Sequence, residues 1–156
     1  MKRIVTLMVL FITMGSSAQS NQELTAHYKK YYKQMQSQAD IQGVINALTH
    51  LNVLEPSQAR KDTLATLYMN EGRHVEALNT IGIEKNESDS DLAVQVKAFS
   101  LKAINDIDQA LIHYEELFKR KPNPFIAYEL AEMKIRTGDL MAVSYTHLTL
   151  PTKRIV

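Results

Sequence analysis

Gly72, Asn105 and Gly138 stand 33 residues apart along the chain. Ala77 and Ala110 keep the same step, as do Asp106 and Asp139. Pro56 and Pro122 are 66 residues apart, two steps, and so are Asp40 and Asp106. A fixed period of this length marks one supersecondary unit repeated end to end, each copy stacking on the next, rather than a single irregular core. It constrains the chain more than any one residue does, and it points to a scaffold that binds something without naming what is bound.

Apolar residues inside each period recur at spacings of three and four, the rhythm of a helix with one buried face. No strand rhythm stands out. Each unit is therefore predicted to be two antiparallel helices joined by a short turn. The first spans 25–57, with Tyr28, Tyr31, Tyr32 and Met35 on one helix, a turn near Ala39-Asp40, and Ile41, Val44, Ile45, Leu48 and Leu51 on the next. The second spans 58–90, with Leu64, Ala65, Leu67 and Tyr68, a turn at Asn70-Glu71-Gly72, then Val75, Ala77, Leu78 and Ile81. Residues 84–91 form a polar loop, the least regular stretch of the array. The third unit spans 91–123, with Leu92, Val94, Ala98, Leu101 and Ile104 expected inward, a turn at Asn105-Asp106, and Ile107, Ala110, Leu111, Tyr114, Leu117 and Phe118 following. The fourth spans 124–142 and reaches a turn at Gly138-Asp139 without a second helix. Gly72 and Gly138 suit a helix end that needs positive φ, and Asn105 is the usual substitute. The expected fold is thus an all-α solenoid of about three and a half helix pairs.

The two ends of the chain read differently. Lys2 and Arg3 precede a short apolar run, Ile4 to Met14, and then Ser16-Ser17-Ala18, small residues suited to cleavage. This is the layout of a secretory signal; the apolar run falls short of the roughly 20 residues a membrane-spanning helix needs. Residues 1–18 are read as a signal peptide, 19–24 as a linker, and the product as exported, periplasmic or secreted, with no stable membrane span after cleavage. At the other end, Val143 to Thr152 can be encoded by GTC TCT TAT ACA CAT CTG ACG CTG CCG ACG. That string resembles the transposase adapter used in sequencing libraries. Residues 143–156 are therefore expected to be adapter-derived, with the natural protein continuing past Ala142.

Without these ends, residues 19–142 hold 14 basic and 17 acidic side chains, a net charge of −3. No basic field remains to draw nucleic acid or anionic membrane. The run Tyr28-Lys29-Lys30-Tyr31-Tyr32-Lys33 mixes aromatic and basic residues, yet helical spacing predicts tyrosines inward and lysines outward rather than a base-stacking platform. There is no cysteine, hence no disulfide, no thiolate metal site and no lipid attachment after the apolar run. None of the histidines His27, His50, His74, His113 and His147 has another three or four residues away. No nucleophile elbow, phosphate loop or dinucleotide fingerprint appears. Glu115-Glu116, Asp89 and Asp91 read as solvated acids. No catalytic residue, cofactor or metal is expected.

The residues now assembled resemble tetratricopeptide repeats. Leu130-Ala131 with Gly138-Asp139 looks like the first half of such a repeat, and Ala110, Tyr114 and Pro122 like the second. The second unit offers Leu64-Ala65, Tyr68, Gly72, Ala77 and Ile81; the first departs most, with Tyr31-Tyr32 and Val44 at the equivalent places. The resemblance covers roughly 25–142. It implies protein recognition, in which the first helices of successive units line a groove for an extended peptide or a helix. Carried over by position, the groove residues are Lys29 and Lys33; Asp62, Thr66 and Met69; Gln95, Phe99 and Lys102; and Tyr128, Glu132 and Arg136. Asp62 and Thr66 sit where one subfamily uses basic and Asn residues to clamp a C-terminal carboxylate, so that mode is not expected. The leading functional reading is a non-enzymatic adaptor with a protein or peptide partner. The alternative is the repeat arm of a larger exported enzyme or sensor whose catalytic domain lies beyond the truncation. Self-association through an open fourth unit is a further expectation.

Overall fold

A computed structural model describes the backbone of residues 2–138 and the side chains from residue 20 onward. The described residues form seven helices and no strand: α1 (Lys2–Ser37), α2 (Ile41–Leu54), α3 (Gln58–Asn70), α4 (His74–Ile81), α5 (Asp91–Ala103), α6 (Ile107–Arg120) and α7 (Pro124–Arg136). This is the expected all-α pattern of helix pairs. Asp139 and residues 143–156 lie outside the described residues.

The period is written into the backbone. Ala39, Gly72, Asn105 and Gly138 all have left-handed φ, at 54°, 73°, 64° and 82°. They close α1, α3, α5 and α7, and Ala39 extends the series one step earlier than its glycines and asparagine suggest. The hydrogen bonds repeat as well. Ala39, Gly72 and Asn105 donate their N–H to the carbonyls of Gln36, Met69 and Lys102 at 3.2, 3.0 and 3.0 Å. The next N–H, of Asp40, Arg73 and Asp106, reaches back to Met35, Tyr68 and Leu101 at 3.0, 2.8 and 2.9 Å. This is the Schellman closure, which satisfies carbonyls a helix end would otherwise leave open. The residue that completes it also starts the next helix. Asp40 accepts from the N–H of Gly43 at 2.9 Å, and Asp106 from that of Gln109 at 3.3 Å. Arg73 cannot accept; instead it lies over the Tyr68 ring, 4.6 Å from the centroid, and pairs with Glu76 at 3.0 Å.

Internal packing divides the chain into two compact units, one ending at Leu64 and the other beginning at Ala65, so the division falls inside α3. In the first, α1 packs on α2, with Met35, Val44, Ile45, Ala47, Leu48 and Leu51 buried. Gly43 permits the approach, because a Cβ there would stand 2.4 Å from Met35 Sδ. Tyr28 stacks on His50 at 4.3 Å between ring centroids. Lys29, Lys30 and Lys33 are exposed while Tyr28, Tyr31 and Tyr32 are half-buried, as the amphipathic reading predicts. Residues 19–24, expected as a linker, are instead helical, because α1 runs unbroken from Lys2 through that stretch. No proline interrupts it.

In the second unit the core joins Leu78, Val94, Ala98, Leu101, Ala110, Tyr114, Leu117, Ile126, Leu130 and Met133. Ala65, Ala77 and Val96 form a smaller cluster with Tyr68, Met69 and Ile81 around it. Leu92 and Ile104, expected inward, are partly exposed, since α5 turns the face carrying Val94, Lys97, Ala98 and Leu101 to the core. Helix α4 has only eight residues. Gly82 ends it at φ 82° and ψ 169°, a conformation essentially restricted to glycine. The chain then runs through loop 82–90 to Ser90, whose Oγ caps α5 by accepting from Ala93 N–H at 3.0 Å.

Candidate binding face on helices α5 and α7

Helix α7 begins at Asn123, whose side chain accepts from Ile126 N–H at 2.9 Å, with Pro124 in the first turn. Ile126, Ala127, Leu130 and Met133 are buried. That leaves Phe125, Glu129, Glu132 and Arg136, spaced four, three and four, along another face. On α5, Phe99 and Lys102 form the matching stripe, and Asn105 stands in the turn beyond.

These stripes meet through the tips of their side chains. Phe99 faces Phe125 at 6.2 Å between centroids and Tyr114 at 5.5 Å, edge to face. Lys102 donates to Glu129 and, at 3.2 Å, to Glu132. Arg136 donates to Asn105 Oδ1 at 2.9 Å. The result is a ladder of three rungs, aromatic, ionic and polar, along the length of α7 and the C-terminal end of α5. Phe99, Lys102, Ala103, Tyr114, Phe125 and Glu129 line an open hollow of about 300 Å³ within it. Partial burial acts to lower the Lys102 pKa, but its two glutamate partners outweigh that and hold the ammonium above its ordinary value. Burial, then the charges of Glu129 and Glu132, push the Tyr114 phenol up. The hollow therefore offers an aromatic floor, a fixed cation and the Glu129 carboxylate, with Glu132 held on the far side of Lys102 by the same ammonium.

A tetratricopeptide repeat protein from Parabacteroides merdae ATCC 43184 superposes on the chain with a TM-score of 0.50 at 14% identity, over 86% of this chain and 59% of its own. The fold is of the tetratricopeptide-repeat kind. The chain spans 59% of the length of that solved structure. No family model matches the chain, and the search of curated proteins found no match.

Within this fold the groove residues expected from the sequence fall into distinct settings. Phe99, Lys102, Glu132 and Arg136 join the ladder. Tyr128 stands at its edge, 67% exposed, and Gln95 lies half-buried one turn before Phe99. Met69 packs against Ala65, Ala77 and Val96, so most of its side chain serves the core. Asp62 is buried and accepts from Gln58 Nε2 at 2.8 Å, and Thr66 is half-buried on the same helix. On α1, Lys29 is exposed and bridges to Glu55 at 2.9 Å, and Lys33 is exposed. The reading from position omitted Glu129 and Asn105 and did not assign Phe125 or Tyr114 to the groove. The spacing of Phe125, Glu129, Glu132 and Arg136 was the available signal for the α7 stripe.

Proposed function

We propose that this protein is a non-enzymatic interaction scaffold that holds a segment of a partner protein against the α5–α7 face. The observation that carries the reading is the ladder itself. Two helices are joined there by long side chains, with aromatic rings left partly open beside fixed charges. Such a surface supplies apolar area at low entropic cost, and its ionic groups set the register of what lies on it. The repeat fold supports a protein as the partner, since stacked helix pairs present extended side-chain surfaces of this kind. We further propose that the protein works outside the cytoplasm, in the periplasm or beyond the cell, on the strength of residues 1–18. No described helix is long and apolar enough to cross a membrane.

A photo-crosslinking residue placed at Tyr128 is expected to trap one discrete protein partner in the source cells. The same probe at exposed Lys119 of α6 should not, and Glu132→Lys should abolish the Tyr128 adduct. An adduct that forms equally from both positions, or none from Tyr128, removes the assignment of this face. Export is tested separately: the mature chain should begin at Gln19 in the envelope or medium, and a chain that keeps Met1 in the cytosol removes that part.

A further inference from the structure

The polar loop 82–90 is anchored more heavily than its composition suggests. Residues 82–88 are exposed, and a hollow of about 600 Å³ separates part of the loop from α4, with Leu78 and Ile81 on one side and Lys97 at its floor. Polar anchors from α5 and α6 hold it. Lys97 of α5, 2% exposed, donates to Glu84 O at 2.7 Å and pairs with Asp89 at 2.6 Å. Arg120 of α6 donates to Asp89 O at 2.7 Å, and Lys85 pairs with Glu116 at 3.0 Å. The last anchor is His113 of α6, fully buried, with Nε2 2.7 Å from Ile83 O. A carbonyl can only accept, so Nε2 carries the proton and Nδ1 is the bare nitrogen. That Nδ1 is buried without a partner.

We propose that loop 82–90 is a pH-sensitive latch: neutral His113 holds it closed, and protonation of His113 releases it. A second proton would make Nδ1 a donor with no acceptor in reach of a site closed to water. It would also place a cation beside buried Lys97 and near Lys85, while the facing carboxylate, Asp89, is already engaged by Lys97 and Asn86 N–H. Glu116 on the same helix is occupied by Arg120 and Lys85. On α4, His74 contacts Ser100 Oγ at 3.4 Å. The Nε2–H bond to Ile83 O by itself favours the charged ring and opposes release, but it leaves Nδ1–H unsatisfied; water reaches the buried imidazolium when the loop lifts away, and this frees the start of the loop. Burial, the dominant influence on His113, already disfavours the charged ring and lowers its pKa.

The test is an NMR titration of the full chain from pH 7.5 to 5. Backbone order parameters of residues 83–89 are expected to fall from about 0.85 to below about 0.6, with the midpoint of the His113 ring titration. In His113→Gln they should not change with pH, whereas His74→Gln should leave the transition in place. Order that persists while the His113 ring protonates overturns the latch. So does a ring that stays neutral to pH 5 while the loop loosens, or loosening that survives in His113→Gln. If that variant does not fold, the match or mismatch of the two midpoints in the unmodified chain still decides.

Discussion

Ala39 occupies a position that the other units give to glycine or asparagine. Its φ of 54° places Cβ against the following carbonyl, a strain of roughly 1–2 kcal/mol for an L-residue. Ala39→Gly should therefore stabilise the protein by about 1 kcal/mol, and Gly72→Ala should cost about as much. A Cβ at Gly72 meets no atom within 4 Å, so backbone strain alone is at issue there. Urea unfolding midpoints of the two variants should move in opposite directions; a shift of the same sign in both refutes the argument. Gly72, Asn105 and Gly138 were legible as turn residues because glycine and asparagine tolerate left-handed φ. The turn near Ala39-Asp40 was legible as well, but the left-handed φ of Ala39 was not, because alanine is a residue that favours helix interiors.

Lys97 shows how an element can depart from its own repeat. The period puts it in register with Leu64 and Leu130, both buried, so a charge stands in a core position of α5. It is tolerated because loop 82–90 delivers the carboxylate of Asp89 and the carbonyl of Glu84 to it. Asp89→Ala leaves that charge uncompensated and should cost about 3–5 kcal/mol. Restoring the repeat with Lys97→Leu in the same chain should recover most of the loss, because an apolar residue needs no partner there. Thermal or denaturant unfolding of the single and double variants measures this, and a double variant no better than Asp89→Ala sinks it. Asp89, read from sequence as a solvated acid, is thus mostly buried and engaged. At the end of α6, Arg120 and Lys121 reach Asp91, and Arg120 also reaches the loop backbone. The out-of-register lysine was visible in the sequence once the period was known. Its partner was not, since nothing local says which loop acid will fold over it.

At the scale of the whole molecule, stability should fall in two stages on acidification. The His113 pKa in the folded chain lies below the ordinary 6.5, so the unfolded chain takes up that proton first. Its contribution is complete above 6.5 and is lost as pH falls through the folded value. Glu116 is held down to about 2, chiefly by Arg120 and then by Lys85, against an ordinary 4.5. Its contribution is complete above 4.5 and is lost towards 2. Denaturant midpoints measured from pH 8 to 3 should show both declines, and His113→Gln should remove the first alone; a midpoint constant between pH 7 and 5 contradicts this assignment. The sequence by itself determined the class of fold, the phase of the repeats and the helix pairs, because these follow from local rules: glycine and asparagine at left-handed turns and helical spacing of apolar side chains. It also placed Phe99, Lys102, Glu132 and Arg136 on the face that α5 and α7 form. Only the tertiary structure decided that Asp62 and Met69 serve packing, that Glu129 completes the Lys102 site, and that Lys97 and His113 lie buried beneath a pinned loop. Those outcomes depend on which distant groups become neighbours once the helices pack, and a repeat period carries no information on the places where one unit breaks its own pattern.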